Sequence, residues 1–195
     1  LDELTKRNEN EIIKICNGFY NDTFLVDQNA CSSPHLIYWI WKKNKKIIDI
    51  FWKSLEKVIS EKKYTSFLSG SYYKYNKLCN EIINFDNFDS FNNYKNFYCI
   101  NLKRNRFNLN DLISKLGYFY QIQVNNINEV FKNVDSFTQT MTYYGFEKDV
   151  IAKNYKKYHL KGIDRIVPIG QALSIEFDWD GYDLFNSMTR NISLR

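Results

Sequence analysis

A change of hydrophobic period early in the chain constrains its fold more than any other feature. Residues 36–41 form an uninterrupted apolar run of strand length, rich in aromatic and β-branched side chains and bounded by Pro34 and Lys42. Such a run suits a strand buried on both faces. Directly after it, Ile47, Ile48, Phe51, Leu55, Val58 and Ile59 fall on one face of a helix predicted over residues 43–63, with lysines and glutamates opposite. A buried strand feeding an amphipathic helix implies a crossover to a parallel neighbour.

The alternation continues along the chain. Ile12, Ile13 and Cys16 predict a helix over 3–17, with Gly18 placed to stop it, and residues 23–26 read as a short extended approach to a polar turn at 27–35. Further helices are predicted at 72–85, 110–116 (closed by Gly117), 147–158 and around 181–185. Further strands are predicted at 96–102, 118–124, 137–144 and 163–169. The expected fold class is α/β, a three-layer domain with a mainly parallel sheet covered by helices on both faces. At 195 residues, without a Pro-rich or Gly/Ser-rich linker or an internal repeat, the chain reads as a single domain over 1–195.

Composition narrows the function classes. With 44% hydrophobic and 17% aromatic residues the chain can bury a full core, which excludes disorder. No stretch approaches the roughly 18 apolar residues of a membrane span. A net charge of +5 is too small to mark a nucleic-acid binder, and the lysine clusters at 42–46 and 153–161 read as solvated helix faces. Cys16, Cys31, Cys79 and Cys99 form no C-x-x-C pair and the chain has only two histidines, so no metal site is expected. Asp178 and Asp180 alone make a poor one. Four unpaired thiols suit a reducing compartment, and a cytoplasmic location is expected. The first residue is Leu1 with charged residues following, so the chain reads as a piece of something longer.

Both prolines of the chain lie in two segments that depart from the Asn- and Lys-rich background, 28–35 and 162–173. In the first, Cys31 sits ahead of the buried strand among Gln28, Asn29, Ser32 and Ser33. A turn there would present the thiol at the end of the sheet. Its N–H groups would stabilise a thiolate and later an oxyanion. An arbitrary cysteine is more often an inert core residue, but this polar shell is wrong for one. His35 lies four residues on, roughly 13 Å away in extended chain at about 3.3 Å per residue, so a Cys–His dyad needs a tight turn; a strand-end histidine is the simpler expectation. His159 falls on a lysine-rich helix end. Ser32 and Ser33 lack the G-x-S-x-G context of a serine nucleophile. No G-x-G-x-x-G, Walker A or H-E-x-x-H motif occurs.

Residues 26–34, with Val26, Asp27, Gln28, Asn29, Ala30, Cys31, Ser32, Ser33 and Pro34, resemble the nucleophile segment of the LuxC-type fatty acyl-CoA reductases, divergent members of the aldehyde dehydrogenase superfamily. Residues 162–170, followed by Trp179 to Leu184, resemble that family's C-terminal signature in order and spacing. The anchors span 22–184; the lysine-rich, aromatic-heavy middle, about 42–133, carries no signature and departs from the luminescence enzymes. The resemblance implies an aldehyde dehydrogenase-like catalytic domain whose nucleotide-binding domain is absent from this chain. It implies NADPH-dependent reduction of an acyl thioester such as acyl-CoA to an aldehyde, through a thioester on Cys31. NADPH would be bound mainly by the missing domain, which would also give one oxyanion donor beside the Cys31 N–H. Gln28, Asn29, Ser32 and Ser33 would shape the substrate and oxyanion loop. Asp164, Arg165 and Pro168 would hold the sheet edge and domain interface. An acyl-activating partner enzyme and a homodimer follow by the same analogy, with the isolated fragment inactive as a reductase.

Two other readings use the same residues. An acyl transferase or thioesterase would keep the acyl-Cys and pass it to water or another acceptor. A non-catalytic binding domain would retain the fold with indifferent thiols.

Overall fold

The computed structural model describes residues 2–40, 45–190, 192 and 193. Trp41 and the first two residues of the helix predicted over 43–63 lie outside them. The chain begins with α1 (Asp2–Thr5) and α2 (Glu9–Thr23). Asn8 caps α2: its Oδ1 accepts from Glu11 N at 3.0 Å while Glu11 Oε2 accepts from Asn8 N at 3.1 Å. This capping box pairs two backbone donors reciprocally.

Gly18 does not stop α2, as the sequence suggests, but sits inside it. A Cβ there would come within 3.1 Å of Ile169 O and 3.2 Å of Gly170 Cα, so glycine is present to admit another backbone. Residues 24–26, expected to be extended, make a 3-10 turn, Phe24–Val26.

After β1 (Leu36–Ile40) come α3 (Lys45–Glu61) and α4 (Leu68–Asn84), then β2 (Phe88–Asn93), β3 (Tyr98–Leu102) and β4 (Tyr118–Val124). The main sheet has the order β1-β4-β3-β2, with β1, β4 and β3 parallel and β2 antiparallel at the edge. The antiparallel strand β2 escapes the sequence pattern because its side chains, apart from half-buried Phe88, are largely exposed. The helix predicted at 110–116 is only a 3-10 turn, Leu109–Leu112, followed by Leu116 and Gly117 with φ of 62° and 78°.

A short α5 (Ile127–Phe131) leads to β5 (Thr140–Tyr143), α6 (Lys148–Tyr158) and β6 (Arg165–Pro168). β5 and β6 pair in parallel as a separate two-stranded sheet, so the strands predicted at 137–144 and 163–169 are shorter than expected. A small hairpin, β7 (Asp178–Trp179) and β8 (Tyr182–Asp183), precedes α7 (Leu184–Met188). Among the described residues no helix is long and apolar enough to cross a membrane.

The architecture is mixed α/β, with helices on both faces of a mostly parallel open sheet. Alternate residues of β4 show why. Phe119 joins Trp39, Phe97 and Cys99 against Phe19 of α2 and Phe51, Trp52 and Leu55 of α3. Tyr118, Tyr120, Ile122 and Val124 point the other way, towards Leu78 of α4, Leu112 and Val130. Period-two alternation with both sets buried is what a central parallel strand requires.

Candidate functional site

The Cys31 loop begins where α2 ends. Asp27 and Gln28 both adopt left-handed backbone, φ 52° and 58°, a conformation that costs roughly 1–2 kcal/mol for a residue with a Cβ. The surroundings impose it. Tyr64 donates its hydroxyl to Asp27 Oδ1 at 2.6 Å, and Leu116 N donates to Asp27 O at 2.9 Å.

Gln28, 1% exposed, uses its whole amide. Nε2 donates to Pro34 O at 2.9 Å and Tyr118 O at 3.2 Å, while Oε1 accepts from Gly117 N at 3.0 Å and Tyr118 N at 3.1 Å. It thereby fastens both ends of the loop to the first residue of β4. Gln28 shapes this loop from behind and has no donor left for a ligand.

Next, Ser33 N donates to Ala30 O at 3.0 Å, closing a turn with Cys31 and Ser32 at its centre. Cys31 is exposed, as is the turn's backbone neighbour Asn29, while Ser32 and Ser33 are buried. Among the described residues the N–H groups of Ala30, Cys31 and Ser32 donate to no protein acceptor, and the buried Ser33 Oγ has no partner. The loop precedes β1, so it lies at the amino-terminal ends of the parallel strands, opposite to the end at which open α/β sheets generally bind ligands.

A cavity of about 520 Å³ opens beside it, between β1 and β5. Its walls are mainly apolar, among them Phe19, Leu36, Phe51, Met141, Tyr143 and Ile169, and Cys31, Ser33 and His35 also line it. The His35 Nδ1 accepts from Ser114 N at 3.4 Å, which places the ring proton on Nε2. Burial pushes its pKa down to about 4, so the imidazole is neutral at pH 7 and a weak base. No hydrogen bond joins it to Cys31 among the described residues. Thus both residues face one cavity without forming a dyad.

The other thiols differ. Cys16 is buried, donates to Phe51 O at 3.4 Å and has its pKa pushed up to about 12 by burial. Burial also raises Cys99 well above the ordinary thiol value. Cys79 is half-buried on α4. Burial favours the uncharged thiol and so suppresses the nucleophile.

The second unusual segment reaches the first through α2. Asp22, fully buried, accepts from Gly170 N at 2.6 Å on Oδ2 and from Ala172 N at 2.9 Å on Oδ1. Burial nevertheless raises its carboxyl to about 6, against the downward pull of those two bonds. Arg165, 6% exposed, holds the same loop from the other side, donating to Ala172 O at 2.9 Å and Ser174 O at 2.7 Å and covering the Trp179 ring at 4.3 Å. A Cβ on Gly162 would lie 1.9 Å from Asp135 O, and one on Gly181 would lie 3.2 Å from Asp164 Oδ1. Arg165 therefore braces a loop beside the sheet edge. Asp22 carries no sequence signal of this contact: its partners are 148 and 150 residues away.

His159 caps α6 in left-handed conformation and is exposed. Asp180 accepts from Gln139 Nε2 at 2.7 Å as part of the β7–β8 hairpin. Among the described residues no group of three or more His, Cys, Asp or Glu side chains could hold a metal ion.

The fit of a dinucleotide can be judged from the walls. Among the described residues no lysine or arginine lines the 520 Å³ cavity, whereas Asp2 and Glu3 do. These described walls do not fit the pyrophosphate of NADPH, whose charge calls for cations or free helix N-termini. No protein-family model matches the chain, and no curated protein matches it.

Proposed function

We propose that this chain is the cysteine-bearing catalytic domain of an acyl-thioester reductase of the aldehyde dehydrogenase-like type, and that its own part in the reaction is to take the acyl group onto Cys31. The observation that carries the reading is the exposed Cys31, held at the centre of a turn with three unpaired amides and lining a large apolar cavity.

The chemistry follows from these groups. The Cys31 sulfur attacks the thioester carbonyl, the bond from carbonyl carbon to carrier sulfur breaks, and the carrier departs as its thiol with the proton that Cys31 loses. Reactant and product are both thioesters, so the exchange is nearly balanced, and thiolates are strong nucleophiles even when a minority species. Negative charge develops on the carbonyl oxygen, and unpaired backbone N–H groups are the donors that stabilise it. The apolar cavity suits an acyl chain, with about 0.8 kcal/mol gained for each CH₂ buried. Reduction to the aldehyde belongs to a cofactor held outside this cavity, so the full-length protein is the proposed enzyme.

The test is mass spectrometry of the full-length protein after incubation with acyl-CoA and no reductant. An acyl adduct on the Cys31 peptide, absent from Cys31→Ser, is the expected result. An unmodified Cys31, or an adduct on another cysteine alone, overturns the assignment. Rapid release of free acid in place of aldehyde when NADPH is added would make the enzyme a hydrolase.

A further inference from the structure

A second, smaller pocket of about 270 Å³ lies at the opposite edge of the main sheet, between α4 and the β2–β3 turn. Its walls are Ser71, Lys74, Asn93, Tyr94, Lys95 and Tyr98. Local structure fixes them. Tyr94 N donates to Phe97 O at 2.9 Å across the turn, and the Tyr94 ring stacks on Phe97 with centroids 4.5 Å apart.

From the facing helix comes Lys74, only 3% exposed. Its Nζ donates to Asn96 O at 2.5 Å and stands 6.0 Å from the Tyr98 ring centroid. The other two N–H bonds of the ammonium have no protein acceptor among the described residues, and no carboxylate pairs with it. The acids nearby are engaged elsewhere: Glu81 with Lys77, Tyr118 and Tyr120, and Glu56 with the Lys95 backbone N–H.

A buried cation with one carbonyl and a ring face but no counter-charge is costly, and burial lowers the Lys74 pKa to about 8. Beside it stand a second ammonium, two phenols, a hydroxyl and a carboxamide, with no acidic side chain among the described residues of the walls. Every one of these groups can donate a hydrogen bond.

We propose that this pocket binds a phosphate-type dianion, either inorganic phosphate or the phosphate monoester of a larger ligand. The anion supplies the counter-charge that Lys74 lacks, and Lys95 contributes from the exposed rim. A phosphate offers several strong acceptor oxygens and close to two negative charges at neutral pH, which matches two ammoniums ringed by neutral donors. The inference is independent of Cys31 chemistry.

The experiment is thermal unfolding of the full-length protein with inorganic phosphate, against chloride at the same ionic strength. Phosphate is expected to raise the midpoint of the wild type and of Cys31→Ser alike. Lys95→Met should weaken phosphate affinity about threefold and Lys74→Met about tenfold or more, the latter corresponding to roughly 1.4 kcal/mol. Coenzyme A, which carries a phosphate monoester, and dephospho-coenzyme A form the second arm. A Lys74-dependent shift with the former only identifies the carrier as the source, and a shift with inorganic phosphate identifies the free anion. No shift with any of the three, or an unchanged shift in Lys95→Met and Lys74→Met, overturns the proposal. If Lys74→Met does not fold, an unchanged shift in Lys95→Met suffices to overturn it.

Discussion

The two faces of β4 are packed by different means. Towards α2 and α3 the packing is aromatic hydrocarbon: Trp52 meets Phe19, Phe51, Phe97 and Phe119 with ring centroids 5.2–5.9 Å apart. Its polar content is concentrated in Gln121, whose Oε1 accepts from Trp39 Nε1 at 2.7 Å and Trp52 Nε1 at 2.8 Å. Towards α4 the same strand presents Tyr118 and Tyr120, both donating their hydroxyls to the buried Glu81 carboxylate. Lys77 completes that set, 3.1 Å from Glu81 and over both rings at 5.6 and 5.7 Å. The first face is held by shape, the second by a closed polar network. Shape loses stability in proportion to the volume removed, whereas a network fails when one member is left without a partner.

The contrast predicts different responses to substitution. Trp52→Ala should cost about 4 kcal/mol, the largest effect, because the side chain is fully buried and its loss opens a cavity on four sides. Glu81→Leu should cost about 2–3 kcal/mol by leaving two buried phenols unpaired. The decisive variant is the triple Glu81→Leu, Tyr118→Phe, Tyr120→Phe. Removing both phenols together with the carboxylate should recover part of the loss, since of the set only Lys77, whose side chain keeps 20% of its exposure, then lacks its partner. Chemical denaturation of the single and triple variants checks this. A triple variant no more stable than Glu81→Leu alone would mean that the α4 face, too, depends on shape.

That polar face also explains what the sequence leaves hidden. α4 is inside out: Lys74, Leu78 and Glu81 are buried, while Leu68, Tyr72, Tyr75, Ile82 and Ile83 are exposed. An apolar pattern shows that a helix exists but would seat the wrong face on the sheet, because burial of Lys74 and Glu81 depends on partners 22–39 residues away. By contrast β4, predicted at 118–124, is found there residue for residue, and α3 turns its apolar stripe inward as its periodicity requires. Around the site, the turn that exposes Cys31 is legible from the polar residues flanking it. The clamp by Asp22 and the cavity between the two sheets are not, since each arises only when distant segments meet.

Asp22 gives a smaller and pH-dependent effect at the junction outside both faces. Its carboxyl binds a proton more tightly in the folded chain, at about 6, than at the ordinary 3.8. Its contribution to stability is therefore greatest below about pH 4, declines as pH rises from there to 6, and is level above. Asp22→Asn lacks this titration and leaves one of the two backbone N–H groups without an acceptor, a loss of about 1–3 kcal/mol. The stability gap between wild type and variant should be wider at pH 4 than at pH 7. A gap that instead widens towards pH 7 would show that the ionised carboxylate is the favoured buried form.

The smallest effect on stability is expected at the residue with the largest chemical one. Cys31 belongs to neither packed face. Its loop is held by the Gln28 amide, by the Tyr64–Asp27 bond and by the Ala30–Ser33 turn, none of which involves sulfur. Cys31→Ser should shift stability by no more than about 0.5 kcal/mol. It should also remove the rapid phase of iodoacetamide labelling, because the remaining thiols are buried or half-buried. Gln28→Ala makes the complementary variant: it keeps the thiol and removes the amide that fixes it, leaving the Gly117 and Tyr118 N–H groups without acceptors. That variant should lose on the order of 2 kcal/mol and yet still label quickly. If Cys31→Ser proved the more destabilising of the two, the sulfur would be a packing element, and the loop would have to be understood as part of the fold instead of as a site.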